Sequence, residues 1–280
     1  MKVDTLVSDI YKLAEGALAP AKDSDYTVSA SYAKWFEKEE KVRDPKTLYF
    51  SEVGDPCARK LWYKVNKPEA ATAIDGNLRI KFFYGDMLEE LVLGLAKSAG
   101  HSVEGQQQRV EYDAGDGWKI RGRIDAIIDG VPVDVKSVTK FSEEKFKGGL
   151  KDDPFGYYMQ LCGYATTLNS SSAGFLTIQK ELGHINYYPI DVNTGLFKLQ
   201  VAHTIGAVEE KDVTMLPQMK PVPQSATSKN MKLCTSCSYC SYKEECWKDA
   251  NDGVGIRTFL YSGGPVYLVR VEDVPRVTEV

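Results

Sequence analysis

Apolar positions recur along this chain at two periods, and the switches between those periods outline its elements. Val3, Leu6, Ile10, Leu13 and Leu18 stand at near-helical spacing and predict an amphipathic helix. Ala19-Pro20 and Asp23-Ser24-Asp25 break it, and Trp35 and Phe36 mark a second helix over residues 31–42. Asp55-Pro56 suits a helix start, Asp as N-cap and Pro at N1, with Cys57 in the first turn. Leu78, Ile80, Phe83, Met87, Leu88, Leu91, Val92 and Leu95 predict a long helix over 76–98. Glu89 and Glu90 lie inside it, and Glu90 is expected to face solvent. Residues 101–112 read as a strand, followed by a turn at Gly115-Asp116-Gly117. Residues 141–149 form a lysine-rich helix or loop. Residues 154–168 form a helix capped by Asp153, with Gln160 and Tyr164 on one face and Cys162 in the core. Strands are expected over 173–179 and 184–190, a helix over 192–208, and a Pro/Lys/Ser-rich linker over 211–232. A last hairpin surrounds Ser262-Gly263-Gly264-Pro265. Alternating strands and helices predict an α/β or α+β fold, with helices packed on a mixed sheet.

The most informative stretch is residues 121–137, RGRIDAIIDGVPVDVKS. Asp129-Gly130 between two apolar runs is a strong two-residue hairpin signal. Its register faces Ile128 with Val131, Ile127 with Pro132, Ala126 with Val133 and Asp125 with Asp134. The last pair falls at a non-hydrogen-bonded position, where Cα atoms approach to about 4.5 Å. Alternation puts Ile124, Ala126, Ile128, Val131, Val133 and Val135 on a core face. Asp125, Asp134 and Lys136 share the other face, with Arg123 opposite Lys136. Facing carboxylates repel unless a cation lies between them, and a hard divalent ion suits such a pair.

Composition narrows the setting. The 280 residues are 43% hydrophobic, enough for one large domain or two small ones. A formal charge of −4 lacks the strong basic balance of a dedicated nucleic-acid binder, although a local cationic groove can still act. Asp4 and Asp9 interrupt the first apolar pattern, so no signal peptide is expected there. No apolar run is long enough to span a membrane, and the chain reads as cytoplasmic. His101, His184 and His203 form no ligand pair and read as surface or satisfied residues.

Six cysteines in such a compartment point to reduced, buried or metal-bound thiols. Cys234, Cys237, Cys240 and Cys246 crowd one short segment, which predicts metal or cluster ligation. Basic residues Arg59, Lys60 and Lys64, and the run Lys140, Lys145, Lys147 and Lys151, are either solvated faces or phosphate contacts.

Taken together these segments resemble the PD-(D/E)XK nuclease superfamily in its RecB-like branch. Four motifs stand in the family's order: Gly85-x-x-x-Glu89, Gly122-x-x-Asp125, Asp134-Val135-Lys136 followed by Ser137, and Gln160-x-x-x-Tyr164. Cys57 before the core, and Cys237-x2-Cys240-x5-Cys246 after it, resemble the iron–sulfur set of AddB nuclease domains and CRISPR adaptation exonucleases. Many relatives carry histidine where Glu89 stands. Cys234 is extra and leaves open a local zinc site from Cys234, Cys237, Cys240 and Cys246.

The resemblance implies a restriction-endonuclease-like mixed central sheet flanked by helices. It divides the chain into an N-terminal helical cap (1–50), a nuclease core (51–210), a linker and cysteine segment (211–250, with Cys57) and a C-terminal hairpin (251–280). It implies Mg²⁺ or Mn²⁺ held by Glu89, Asp125, Asp134 and the Val135 carbonyl, with Lys136 acting on the attacking water. Gln160 and Tyr164 are implied to support Lys136 and the DNA backbone. Cys57, Cys237, Cys240 and Cys246 are implied to hold a 4Fe-4S cluster, with Zn²⁺ as the alternative. The implied activity is DNA hydrolysis, as an exonuclease on single-stranded DNA or free ends, in DNA processing, recombination or repair. The alternatives are an endonuclease, or a non-catalytic DNA-binding or scaffolding subunit with a four-cysteine zinc module. The chain has no G-x-x-x-x-G-K-[ST] loop, so any helicase or recombination motor would be a partner protein.

Overall fold

The structure, a computed structural model, describes residues 2–14, 18, 43–72, 76–151 and 153–280. The helix expected over 31–42 and the break at 19–25 lie outside the described residues. The helices are α1 (Leu6–Ala14), α2 (Phe50–Val53), α3 (Ala58–Asn66), α4 (Gly76–Ser98), α5 (Lys140–Lys147), α6 (Tyr157–Thr167), α7 (Thr194–Glu209), α8 (Thr235–Ser238) and α9 (Lys243–Cys246). The strands are β1 (Thr47–Tyr49), β2 (Val103–Glu104), β3 (Gln108–Gly115), β4 (Trp118–Ile124), β5 (Ala126–Ile128), β6 (Val131–Val138), β7 (Ser172–Gln179), β8 (Ile185–Asp191), β9 (Val222–Pro223), β10 (Met231–Lys232), β11 (Arg257–Tyr261) and β12 (Gly264–Arg270). This is the expected α+β class, mixed sheets flanked by helices.

Two compact units divide the chain: Met1–Gly54 with Asp75–Ala202, and Asp55–Ile74 with His203–Val280. The first holds a five-stranded sheet of order β2-β5-β6-β7-β8, in which only β6 and β7 run parallel. α1 and α4 cover one face. Leu6, Ile10, Val92, Leu93 and Ala96 pack there on Ala126, Ile128, Val133, Val135, Leu176 and Ile178. α5 and α6 cover the other, where Phe146, Leu161 and Ala165 meet Val138, Ala173 and Phe175. Packing on both faces explains why β7 is buried at every residue from Ala173 to Gln179, Thr177 and Gln179 included. A second sheet of order β1-β4-β3 belongs to the same unit.

The single strand expected over 101–112 is two strands, β2 and β3, parted where Gly105 and Gln107 take positive φ. α4 spans the predicted residues, but among its described side chains the fully buried ones are Val92, Leu93 and Ala96. Leu91 and Ile80 of the expected stripe are each 42% exposed. Glu90 is half-buried rather than solvent-facing.

In the second unit β11, β12, β10 and β9 form a four-stranded antiparallel sheet. The stretch expected as a linker therefore supplies two of its strands, β9 and β10. The hairpin around Ser262 and Gly263 forms as predicted. α3 begins at Ala58, so Cys57 is its N-cap rather than a first-turn residue. Asp55 acts from two positions earlier, its Oδ1 accepting the Cys57 N–H at 3.0 Å. Tyr63 of α3 stacks on Tyr242, ring centroids 5.7 Å apart. Among the described residues no helix is long and apolar enough to cross a membrane.

Candidate functional site

The hairpin forms in the expected register, with Ile128 opposite Val131, Ile127 opposite Pro132 and Ala126 opposite Val133. Asp129 and Gly130 both take positive φ, as the turn requires. The ladder then stops, and Asp125 is a bend between β4 and β5. The chain changes sheets there, so Arg123 lies opposite Arg109 of β3 and not opposite Lys136. Lys136 instead neighbours Thr177 of the parallel strand β7. In place of a cross-strand pairing, Asp125 Oδ2 accepts the Val135 N–H at 2.8 Å.

Because α5 and α6 cover the face that carries Asp134, its carboxylate is buried at 2% exposure. Lys136 Nζ meets Asp134 Oδ2 at 2.5 Å and sits 4.9 Å from the centroid of the Tyr157 ring. Asp134 Oδ1 is buried with no hydrogen-bond partner. Burial raises the Asp134 carboxyl above its ordinary range, opposed by Lys136. Asp125 is raised well above that range by burial and by the charges of Asp134 and Glu89. Lys136 is also raised above its ordinary value: burial disfavours its charge, but Asp134 and Asp125 outweigh it and hold the ammonium.

Glu89 enters from α4. One turn earlier on that helix, Gly85 lies beside the hairpin: a Cβ there would stand 3.8 Å from Ser137 Oγ. Gln107 Nε2 donates to Glu89 Oε1 at 2.8 Å. Burial, then the Asp134 charge, pushes Glu89 up to about 7 despite that bond. Glu89, Asp125, Asp134 and Lys136 are thus electrostatic neighbours, although they come from α4, the bend and β6.

α6 starts at Tyr157, three residues later than expected, because Gly156 in the left-handed region precedes it. A Cβ on Gly156 would lie 2.2 Å from the Gly54 carbonyl carbon, so only glycine fits. Asp153 does organise this start, accepting the N–H groups of Phe155, Gly156 and Tyr158. Gln160 and Tyr164 share a face as their spacing implies, and burial, only partly offset by Gln160, raises the Tyr164 phenol to about 12. The Tyr164 hydroxyl reaches Gly122, where a Cβ would come within 2.6 Å of it. Cys162 is wholly buried, as expected of a core cysteine. Gln107 and Tyr157 join the site without any motif to announce them. Tyr157 is one turn before Gln160 on α6, and nothing in the sequence marks Gln107.

The basic residues proposed as phosphate contacts divide. Arg59 donates to the Leu216 and Thr214 carbonyls, and Lys60 pairs with Asp55 at 2.5 Å, so both hold the second unit together. Lys64 and Lys145 are half-buried. Lys140 is exposed, and Lys147 pairs with Glu144 at 2.7 Å. His101 is a buried histidine, its Nδ1 2.7 Å from Asp129 Oδ2, whereas its Nε2, 3.4 Å from Asp9 Oδ2, makes no hydrogen bond among the described residues.

In the second unit Cys57, Cys237, Cys240 and Cys246 line one cavity together with Lys60 and Tyr63. Cys234 is not among its lining residues. Burial raises the Cys57 thiol to about 11, with added repulsion from Asp55, Cys240 and Cys246. Cys237, Cys240 and Cys246 are raised as well, burial first. Among the described residues no group of three or more His, Cys, Asp or Glu side chains stands arranged to hold a metal ion. All six thiols are free.

Several solved structures resemble this chain, among them the following three. The crystal structure of SSO0001 is 17% identical, with a TM-score of 0.49, covering 77% of this chain and 91% of that one. An alkaline exonuclease from Laribacter hongkongensis is 14% identical, with a TM-score of 0.44, covering 59% and 88%. A phage-related exonuclease from Haemophilus somnus 129PT is 14% identical, with a TM-score of 0.43, covering 58% and 92%. At these identities and scores the functional reading depends on the geometry of the chain itself. No protein-family model matches the chain, and no curated protein matches it.

Proposed function

We propose that this protein is a metal-dependent DNA nuclease of the PD-(D/E)XK type, an exonuclease of the RecB-like branch that works on single strands or free ends. The observation that carries this reading is the buried Asp134 carboxylate. One of its oxygens has no partner, and Asp125 and Glu89 crowd it with further negative charge. A structural role would leave such a group satisfied or neutral. An oxygen-rich, mutually repelling set fits a hard divalent cation.

Glu89, Asp125, Asp134 and the Val135 carbonyl would hold one or two Mg²⁺ or Mn²⁺ ions. When bound, such an ion lowers the pKa of water and offsets charge on the phosphorane. The chain's own groups do the rest. Lys136, kept protonated by Asp134 and Asp125, positions water and faces the negative charge that develops. Tyr157 limits where the Lys136 ammonium can sit. Tyr164 packs against Gly122 of β4 and braces the strand that delivers Asp125, with Gln160 beside it on the same helix face.

In the same reading Cys57, Cys237, Cys240 and Cys246 hold an iron–sulfur cluster, of the 4Fe-4S type, and Cys234 is not a ligand. Support comes from the shared cavity, which brings Cys57 to the three later cysteines. Buried thiols raised by one another become thiolates once a cation compensates them. Zinc on Cys234, Cys237, Cys240 and Cys246 would leave Cys57 in the cavity without a role.

The test is cleavage of end-labelled single- and double-stranded DNA with Mn²⁺, using Asp134→Ala as control. Wild type is expected to release nucleotides from ends, and the variant to fall to background while still binding DNA. Metal-dependent cleavage retained by Asp134→Ala overturns the assignment.

A further inference from the structure

The ladder between β3 and β4 places three charged rungs on one face. Asp113 lies opposite Lys119, Glu111 opposite Arg121, and Arg109 opposite Arg123. The first two rungs alternate sign across the strands, and their charges are engaged. Lys119 Nζ meets Glu111 at 2.5 Å, Arg121 Nε meets Glu111 at 2.7 Å, and Arg121 also pairs with Asp44. The third rung opposes two arginines. Both are exposed, and neither guanidinium has an ion pair or hydrogen bond among the described residues.

Like charges directly opposite each other destabilise an antiparallel pair. The same face shows that this chain readily satisfies cations with Glu111 and Asp44, so the omission at one rung is a local departure. Just beyond the ends of β3 and β4 stand Gln107 and Asp125, whose backbones are joined by a hydrogen bond from Gln107 N to Asp125 O at 3.4 Å. Gln107 holds Glu89, and Asp125 is one of the crowded carboxylates. Neither acid neutralises the arginines, since Asp125 Oδ2 takes the Val135 N–H and Glu89 Oε1 takes Gln107. The uncompensated rung is therefore the one adjoining the candidate metal centre.

We infer that Arg109 and Arg123 form a clamp for the DNA backbone, gripping phosphates next to the one presented to Glu89, Asp125 and Asp134. This rests on the nuclease reading above and adds the residues that carry the strand to the site. Two residues of extended chain put the Arg123 Cα roughly 7 Å from that of Asp125. Phosphates follow at about 3.4 Å of axial rise along one strand of a duplex, and farther apart in an extended single strand, so the clamp engages phosphates within about two nucleotides of the scissile bond. An anion between the guanidiniums removes their repulsion, and arginine forks match phosphate oxygens.

The experiment compares the full chain with Arg109→Gln/Arg123→Gln and with Arg123→Glu. Anisotropy of a fluorescent single-stranded oligodeoxynucleotide is followed in chelator across a salt series, alongside thermal melts. The double variant is expected to bind about tenfold more weakly. Its plot of log affinity against log salt should be shallower by about 1.4, two contacts at about 0.7 each for a single strand. Its melting temperature should hold or rise. Arg123→Glu restores an opposite-charge rung, so it should melt higher than wild type and bind more weakly still. Unchanged affinity and salt slope, with wild type binding DNA, overturn the clamp and leave the nuclease reading standing. A lower melting temperature in both variants makes the rung structural and also overturns it. Wild type that neither binds nor cuts DNA removes the nuclease reading and the clamp together.

Discussion

The main-chain N–H of Val135 donates to Asp125 Oδ2 at 2.8 Å, just where the ladder between β5 and β6 has ended. One acid thus fastens its bend to the strand that carries the other acid. The two functions of Asp125, acceptor and charge, can be separated. Asp125→Asn keeps an acceptor and sheds repulsion from Asp134 and Glu89. It is expected to melt at or above wild type in chelator while losing cleavage. Asp125→Ala leaves the Val135 N–H unpartnered and should be less stable by about 1–3 kcal/mol. Equal melting of the two variants would show that the hydrogen bond is unimportant.

The crowded acids set a pH dependence for the metal-free protein. Burial first, then neighbouring charge, raises Glu89 to about 7 and raises Asp125 and Asp134 as well. The folded state therefore keeps protons that the unfolded chain releases near the ordinary carboxylate range. The resulting stability is full below that range and is lost as pH rises through the folded values. Thermal melts in EDTA should show a melting temperature that falls between about pH 5 and pH 7. Glu89→Gln should flatten part of the fall. A flat profile in wild type contradicts the burial of these groups.

Gly122 is held to glycine by its neighbours. An added Cβ would come within 2.6 Å of the Tyr164 hydroxyl and 2.9 Å of Phe50. Gly122→Ala should cost about 1–3 kcal/mol by overpacking. Tyr164→Phe in the same chain should recover part of that loss, because the closest atom is the hydroxyl oxygen. Chemical denaturation of the four-member mutant cycle measures this coupling.

The cysteine cavity separates the two ligand sets. Protein prepared without oxygen should be brown, and Cys57→Ser should lose both colour and iron and melt lower. Cys234→Ser should keep both. Colourless wild type that holds zinc, and keeps it in Cys57→Ser but not in Cys234→Ser, would establish the local four-cysteine site instead.

Local information in the sequence determined the hairpin. Asp129-Gly130, the alternation of Ala126, Ile128, Val133 and Val135, and the register they impose are short-range consequences of turn chemistry and side-chain period. The spacing of Gln160 and Tyr164 was equally legible, since a helix fixes which residues share a face. The beginning of α3 was legible only to within a residue or two, because Asp55 accepts the Cys57 N–H from two positions earlier.

What no local pattern could reveal was the change of sheet at Asp125. It arises because β4 pairs with β3 and β1, while β5 pairs with β6 and β2. Nor could alternation show that α5 and α6 cover the polar-looking face of β6. A strand that alternates Asp134, Val135 and Lys136 reads as half-solvated, yet both of its faces are packed. Long-range burial turns Asp134 from a surface charge into a crowded carboxylate with one oxygen on Lys136 and the other unpartnered. Residue types and their order were written along the chain. Whether a charge meets water, a partner or nothing depended on elements distant in sequence, because burial is a property of the packed layers.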